Sequence, residues 1–565
     1  MSAKVARRRS SRYAKPLIKF SISTRGTTPP GLSFSRVYKM DKNEKLYMGF
    51  DAGTQSVKVA VYDGNFQPVA TRSLPTTLRY PHPGWVEMDA DNYVAVTLEC
   101  MKGVVEDLRA AGRDPAQIAS VMGDGIICGI VGIDREGRAV TPYINYLDSR
   151  TTDDVEALNA RGLEIWGRET GNPEASPMFP AMFARWFLRE HEGFREKGVK
   201  FVHNAPYILM HLAGLAAEDA FIDWGAMSGW GLGYDVKEKR WSPEQLEILG
   251  IDPAYMPRIL KPWDRVGGLS EAVARETGLP AGIPILAGAG DTMQSMLGSG
   301  IFEANQGVDV AGTCAMFCVS TDGIVPELSK PGMGLVFNSG TLPDTYFYWG
   351  FVRTGGLALR WFKDHVCREE GNGDYYRELS EGAAKVPAGS RGVLFLPYLT
   401  GGNGDEKDAS GCFLNMTMDD DQFVMWRAVL EAIGYDYIGL ADNYRKAGVD
   451  LTRITVTEGG SRDDLWNQIK SDMLEANIVR FKNPGGAVLT NCIFGAWATG
   501  GLGGEAEDPA PLREALAAAI TPSGAFEPDA ARSRAYRELY EMRRSLVAVD
   551  MKAAFAKLVR MRDVH

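Results

Sequence analysis

The sequence predicts an α/β protein of two similar domains, and three observations carry that prediction. At 565 residues the chain is too long for one ordinary hydrophobic core. Strand-like runs ending in small or polar residues recur before helix-like stretches through most of its length. One local design also occurs twice: Ala52-Gly53-Thr54 leads to Asp63-Gly64, and Ala311-Gly312-Thr313 leads to Asp322-Gly323, at the same offset.

The first copy, Tyr47 to Gly64, reads as a strand, a tight polar turn, a second strand and a hairpin turn at Asp63-Gly64-Asn65. Its turn holds what a phosphate or metal–phosphate group needs. Gly53 lets backbone N–H groups come close, Thr54 and Ser56 offer hydroxyls beside Gln55, Lys58 offers a cation, and Asp51 can hold Mg²⁺. An ordinary hairpin with a polar tip is the plain alternative. Its recurrence at 308–323 favours a duplicated unit, with two domains closing on one nucleotide.

Bulk properties exclude several classes. A formal charge of −10 argues against nucleic acid as the main partner, so an anionic substrate would need local cations. The seven cysteines are scattered without a CxxC pair, as in reduced thiols of a cytoplasmic enzyme. No apolar run is long enough to span a bilayer, and the six histidines form no HExxH spacing.

In chain order, residues 1–45 form a basic extension expected to be disordered. Its composition resembles a transit peptide, and a start at Met40 is the preferred reading. The first domain is expected over 46–300. After the hairpin, Phe66 to Ser73 reads as a third strand. The loop Gly84-Trp85-Val86-Glu87 is either structural or a sugar contact, and Asp91-Asn92 is expected to cap the next helix. Ile118 to Ile133 reads as two apolar strands around Gly125-Ile126-Ile127-Cys128-Gly129, and Tyr143 to Arg150 as a strand ending in Asp-x-Arg. At Gly288-Ala289-Gly290-Asp291-Thr292 an apolar strand meets small residues and one carboxylate. Asp291 is there either a helix N-cap or a group that deprotonates a substrate hydroxyl.

The second domain is expected over 301–545, with a helical tail over 546–565. Leu394 to Leu399 reads as a buried strand before a Gly-rich loop. Trp426 to Lys446 reads as a helix with an apolar stripe, stopped by Gly448. A strand from Ile454 ends at Gly459-Gly460, where a Ser461-x-x-Asp464 capping box is expected to open a helix. The di-glycine is a plausible adenosine site, with Gly485-Gly486 and the small-residue helix through Ala496 packed behind it.

In their order these residues resemble the FGGY family of carbohydrate kinases, in the superfamily of hexokinase, actin and the heat-shock chaperone ATPases. They are most similar in style to xylulokinases. The resemblance covers about 46 to 545 and rests on Asp51-x-Gly53-Thr54-x-Ser56-x-Lys58, Gly84-Trp85-Val86-Glu87, Gly290-Asp291, Gly312-Thr313, Leu396-Pro397-Tyr398-Leu399 and Gly459-Gly460-Ser461 with Leu465-Trp466-x-Gln468. It implies two ribonuclease-H-like domains with ATP and sugar in the cleft between them. Asp291 would be the base, and Asp51 would help hold Mg²⁺. Gly53, Thr54, Gln55, Ser56, Lys58, Gly312, Thr313, Gly459, Gly460, Ser461 and Asp464 would serve the nucleotide. Trp85, Ile127, Cys128, Asp291 and Thr292 would meet the substrate.

The departures concern the sugar side. Ile126-Ile127-Cys128 stands where xylulokinases usually show Gln-Met-His, and Asp291-Thr292 where they show Asp-Asn. Gly401-Gly402-Asn403-Gly404-Asp405 replaces a Gly-Glu-Arg loop. The implied reaction is transfer of the γ-phosphoryl of MgATP to a hydroxyl of a ketose, related sugar or polyol. A pseudokinase or an actin/chaperone-like ATPase without sugar phosphorylation is the competing class. A small-molecule partner is expected, and a homodimer is compatible with the sequence.

Overall fold

A strand covered on both faces needs apolar residues nearly throughout, and Leu46–Ala52 (β1) supplies them except at Asp51. The computed structural model describes residues 44–312, 315–352, 354–399, 401, 406–482, 486–503 and 507–562. In the first sheet, β1 pairs antiparallel with Ser56–Tyr62 (β2), which pairs antiparallel with Pro68–Pro75 (β3). The helix Ala90–Ala110 (α1) packs on β2 and β3. On its other side β1 runs parallel to Ile118–Gly125 (β4). Beyond β4 lie Arg265–Gly268 (β5) and Pro284–Leu286 (β6), giving the order β5-β6-β4-β1-β2-β3. The helix Asp291–Gly298 (α2) follows β6.

The second sheet repeats that wiring. Gln306–Ala311 (β7) and Ala315–Thr321 (β8) form the antiparallel hairpin. Val336–Ser339 (β9) and Tyr346–Val352 (β10) extend it, with β10 antiparallel to β8. After the helix Gln422–Lys446 (α3), Arg453–Thr457 (β11) runs parallel to β7. The helix Asp464–Leu474 (α4) leads to Asn477–Phe481 (β12), parallel to β11. The helix Ala487–Ala498 (α5) precedes the edge strand Pro522–Phe526 (β13), and Ala530–Ser545 (α6) follows it. The order is β9-β10-β8-β7-β11-β12-β13. In both sheets a hairpin and a third antiparallel strand flank one side of a parallel core, so the duplication read from two short motifs extends to the whole topology.

Three local expectations are corrected. The cap of α1 is Asp89, whose Oδ1 accepts from the N–H groups of Asp91 and Asn92 at 3.1 and 3.3 Å. Asp89 keeps the extended backbone that an N-cap needs, while the two residues expected to cap are already helical. The Ser461–Asp464 capping box does not form. Gly459–Arg462 makes a 3₁₀ turn, and Asp463 caps α4 by accepting from Trp466 N–H at 3.1 Å. Finally, α5 lies on β1 and β4 in the first sheet, and not behind the di-glycine. Small residues permit that approach. A Cβ on Gly49 would stand 2.7 Å from Val488 O, and one on Gly495 would stand 2.4 Å from Ser120 Oγ.

The α3 stripe is core as expected, with Trp426, Val429, Leu430, Ile433, Tyr437 and Tyr444 buried and Leu440 half-buried. Residues 1–43, Thr313, Gly402 to Asp405 and Gly485 lie outside the described residues. Among the described residues no helix is long and apolar enough to cross a membrane.

Candidate active site

The parallel register of β1 with β4 sets Asp51 directly opposite Asp124, and the hairpin register sets Asp51 opposite Lys58. Burial raises the pKa of Asp51, against the pull of the facing Asp124 and of the Lys58 cation. Asp124 is raised well above the ordinary carboxylate range, by burial first and then by the charges of Asp51 and Asp291. Asn491 Nδ2 of α5 donates to Asp124 Oδ2 and, at 3.0 Å, to Phe50 O. Asp124 Oδ1 has no donor among the described residues.

Ala289-Gly290 continues from β6 and pairs beside Asp124-Gly125, which brings Asp291 into the same group. Asp291 is the first residue of α2, whose N-cap is Gly290, so the helix-cap reading of this carboxylate is corrected. Thr292 donates to Asp291 Oδ1 through its N–H at 2.6 Å and its hydroxyl at 3.1 Å. Surrounding protein and the nearby Asp51 push the Asp291 carboxyl up to about 7, although those two bonds oppose the shift. The residue still keeps partial contact with solvent, as a group in a cleft wall would. That combination suits a carboxylate that must take up a proton near neutral pH.

Around this group the first hairpin turn is closed by Gly53 N–H donating to Ser56 O at 3.0 Å, so that N–H is already used. Thr54 O accepts from Thr76 Oγ1 at 2.7 Å, and Gly53 O from Tyr93 OH at 3.2 Å. Gln55 and Lys58 are exposed, while Thr54 and Ser56 are half-buried. Ile127 and Cys128 are buried against the same region: Cys128 Sγ donates to Gly229 O at 3.7 Å, and Ile127 O meets His203 Nε2 at 2.9 Å.

The second hairpin reaches this region through Val310 and Met316, which pack on one apolar cluster with Ile127, Cys128 and Met293. Gly312 O accepts from Gly356 N–H at 3.0 Å. A Cβ on Gly460 would stand 2.7 Å from Ala311 Cβ, so the di-glycine turn abuts this hairpin, while a Cβ on Gly459 would meet open space. Ser461 and Asp464 are engaged elsewhere: Ser461 Oγ donates to Glu458 O at 2.7 Å, and Asp464 pairs with Arg480 at 2.6 Å on the surface. Trp85 lies under the Arg150 guanidinium, 3.8 Å from the ring centre, and Arg150 is paired with Asp148 and Glu87. Val86 N–H donates to Asp148 Oδ2 at 2.6 Å, so the Trp–Glu loop and the Asp-x-Arg loop are one locked unit.

Among the described residues no three His, Cys, Asp or Glu side chains converge as a ready-made metal cage. Mg²⁺ is usually held by one or two carboxylates together with substrate phosphates and water. The facing Asp51 and Asp124, with one buried oxygen lacking a donor, fit that requirement. Sequence reasoning missed Asp124 and Asn491. A carboxylate inside the apolar run Val121-Met122-Gly123-Asp124-Gly125 was the available signal.

This arrangement of two hairpins, a di-glycine turn and clustered carboxylates on duplicated α/β sheets defines a phosphotransferase class. The chain belongs to the FGGY family of carbohydrate kinases. The family's N-terminal domain matches residues 46–298 and its C-terminal domain residues 308–499. It is similar to the xylulose kinase of Staphylococcus xylosus, 26% identical over 76% of this chain and 86% of that protein. A gluconokinase of Bacillus subtilis is 26% identical over 80% and 87%. The crystal structure of xylulose kinase from Rhodospirillum rubrum is 25% identical, covers 91% of this chain and all of that one, and superposes with a TM-score of 0.78. FGGY kinases use ATP, and the class is that of phosphotransferases acting on carbohydrates.

Proposed function

We propose that this protein is a cytoplasmic kinase that transfers the γ-phosphoryl of MgATP to a hydroxyl of a ketose, related sugar or polyol, with Asp291 as general base. The observation that carries the proposal is the Asp291 carboxyl, pushed up to about 7 and oriented by Thr292 beside the Asp51–Asp124 pair. In this reading residues 46–300 and 301–545 form the two lobes. Thr54, Gln55, Ser56 and Lys58 of one hairpin and Gly312 of the other would serve the phosphates, a role the resemblance also assigns to Thr313. Gly459 and Gly460 give adenosine room, consistent with the open space above Gly459.

As the acceptor oxygen bonds to the γ-phosphorus and the β–γ bridging bond breaks, the acceptor proton passes to Asp291 Oδ2. ADP leaves with the bridging oxygen. Mg²⁺, when bound, neutralises charge on the phosphates, and Asp51 with Asp124 would hold it. Thr292 fixes the carboxylate plane, so positioning supplies much of the rate, as is general for phosphoryl transfer. Asp291→Ala is expected to bind ATP nearly as the parent does in calorimetry, while acceptor-dependent ADP release falls by about 10²–10⁴-fold. Turnover near the parent rate would remove Asp291 from this role.

A further inference from the structure

We propose that Glu458 is a specificity residue for the phosphoryl donor. Its carboxylate accepts hydrogen bonds from the ribose hydroxyls, so that the protein prefers a ribonucleoside triphosphate over its deoxy counterparts. The inference rests on the kinase reading above and deepens it on the nucleotide side.

Glu458 is held in a backbone conformation that belongs to glycine. It follows the last residue of β11 with φ 62° and ψ −166°, a region essentially closed to residues with a Cβ. The turn that follows keeps it there. Glu458 O accepts from Ser461 N–H at 3.2 Å and from Ser461 Oγ at 2.7 Å. Ser461 O accepts in turn from Asn467 Nδ2 at 2.7 Å and from Arg480 Nη1 at 3.1 Å. Two glycines follow at once, and a third at this position would relieve the backbone. Strain of this kind collects at ligand clamps, where a particular side chain is needed in place. Glu458 is exposed, and among the described residues no donor or cation engages its carboxylate.

Position selects the ribose. In open α/β sheets ligands bind outside the carboxyl ends of the strands. The parallel pair β7 and β11 ends here in register, with Val310 opposite Thr457, so Ala311 and Glu458 come next on the two strands. The turn touches the second hairpin at Gly460, where a Cβ would stand 2.7 Å from Ala311 Cβ, whereas a Cβ on Gly459 would meet nothing within 4 Å. With phosphates at the hairpin and a flat base in the open space over Gly459, the part of the nucleotide between them is the sugar. A carboxylate repels phosphate and accepts from neutral hydroxyls, and the vicinal 2′- and 3′-hydroxyls suit its two oxygens. Hydrogen bonds to a charged acceptor are the stronger kind, so loss of one hydroxyl is measurable.

The test is calorimetry on the full-length protein with the magnesium complexes of ATP, 2′-deoxyATP and 3′-deoxyATP, which needs no acceptor. ATP is expected to bind about 10–100-fold more tightly than at least one deoxy analogue. In Glu458→Gln, which keeps the side-chain shape and the backbone strain, that ratio should shrink. In Glu458→Ala it should approach one. Glu458→Gly separates strain from contact: it should also lose the discrimination, yet unfold at higher urea than Glu458→Ala, in which the Cβ keeps the strain. Equal affinity of the parent for all three nucleotides, or ratios unmoved by the substitutions, overturns the inference and leaves the kinase intact. A glycine variant no more stable than the alanine variant overturns it as well, because the acid would then stand there without strain. Failure of the parent to bind MgATP overturns the kinase reading and this inference together.

Discussion

As the proposed base, Asp291 is subject to two opposing demands, enclosure that favours its neutral form and a reaction that would need its carboxylate. With a folded pKa of about 7 against an ordinary 3.8, the folded protein binds this proton more tightly than the unfolded chain does. The stability that this difference supplies is complete below about pH 4 and is lost as pH rises through about 7. Activity has the opposite sign, because the base works only when deprotonated. We expect kcat/KM to rise with pH and level off above a midpoint near 7, and Asp291→Asn to lack that limb. The same variant should be more stable than the parent by about 0.5–2 kcal/mol at pH 8 and nearly equal to it at pH 4. Urea melts at both pH values check this, and an Asn variant that is less stable at pH 8 would refute it. At this scale the sequence reading was uneven for physical reasons. Asp291 stood out because small residues isolate it, and its place in the cluster follows from pairing of Ala289-Gly290 beside β4. Asp124 was hidden, because a lone carboxylate in an apolar strand has no local signature until the strand beside it is known. Ser461 looked like a cap, yet its hydroxyl turns back to Glu458 O, since the 3₁₀ turn delays the helix by two residues, to a cap at Asp463.

Among elements, α5 has the largest consequence for the site and was the least legible. Its composition of small residues indicated close packing without indicating the partner. That partner is the first sheet, where Asn491 joins Phe50 O and Asp124 to Gln294 of α2, whose Nε2 donates to Asn491 Oδ1 at 2.7 Å. Thr341 Oγ1 completes the chain by donating to Gln294 Oε1 at 3.2 Å. Asn491, Asp124 and Gln294 are wholly shielded from solvent, so removing the amide leaves several polar groups unpaired at about 1–3 kcal/mol each. Asn491→Leu should therefore lower unfolding stability by about 2–4 kcal/mol. It should also slow acceptor-dependent ADP release at least tenfold, because Asp124 loses its orientation. Stability loss in urea with an unchanged rate for the folded fraction would show that α5 only supports the sheet. The β7 hairpin has an analogous brace, which the sequence also concealed. Asp309 pairs with Lys470 of α4 at 2.5 Å inside the core, and Lys470 stands 3.7 Å over the Trp466 ring.

On the scale of the whole molecule, the two sheets are wired alike, but the apolar core does not stop between them. One cluster joins Phe187 and Trp230, from before residue 300, to Phe337 and Tyr437 from after it. Hydrogen bonds follow the same seam. Asn172 accepts from Phe337 N–H at 2.7 Å and donates to Phe337 O at 3.2 Å, like one more strand pair at the edge of β9. Ser228 Oγ accepts from Ser339 N–H at 3.0 Å and from Asn338 Nδ2 at 3.1 Å. With side chains from both halves in one dry cluster, neither half can expose its face without uncovering the other's. Unfolding of the described body should therefore be cooperative across both sheets. Asn172→Ala tests the seam, since it leaves the Phe337 N–H and carbonyl buried without partners and should lower stability by about 2–4 kcal/mol. Tryptophan fluorescence reports on Trp230 and Trp426, one on each side of residue 300, while far-ultraviolet circular dichroism reports on the backbone of both halves. The parent should give coincident urea transitions by the two probes, and Asn172→Ala should shift both together to lower urea. Two separated steps in the parent would mean that each half carries its own stability, and the seam would then be a docking contact between independent folding units.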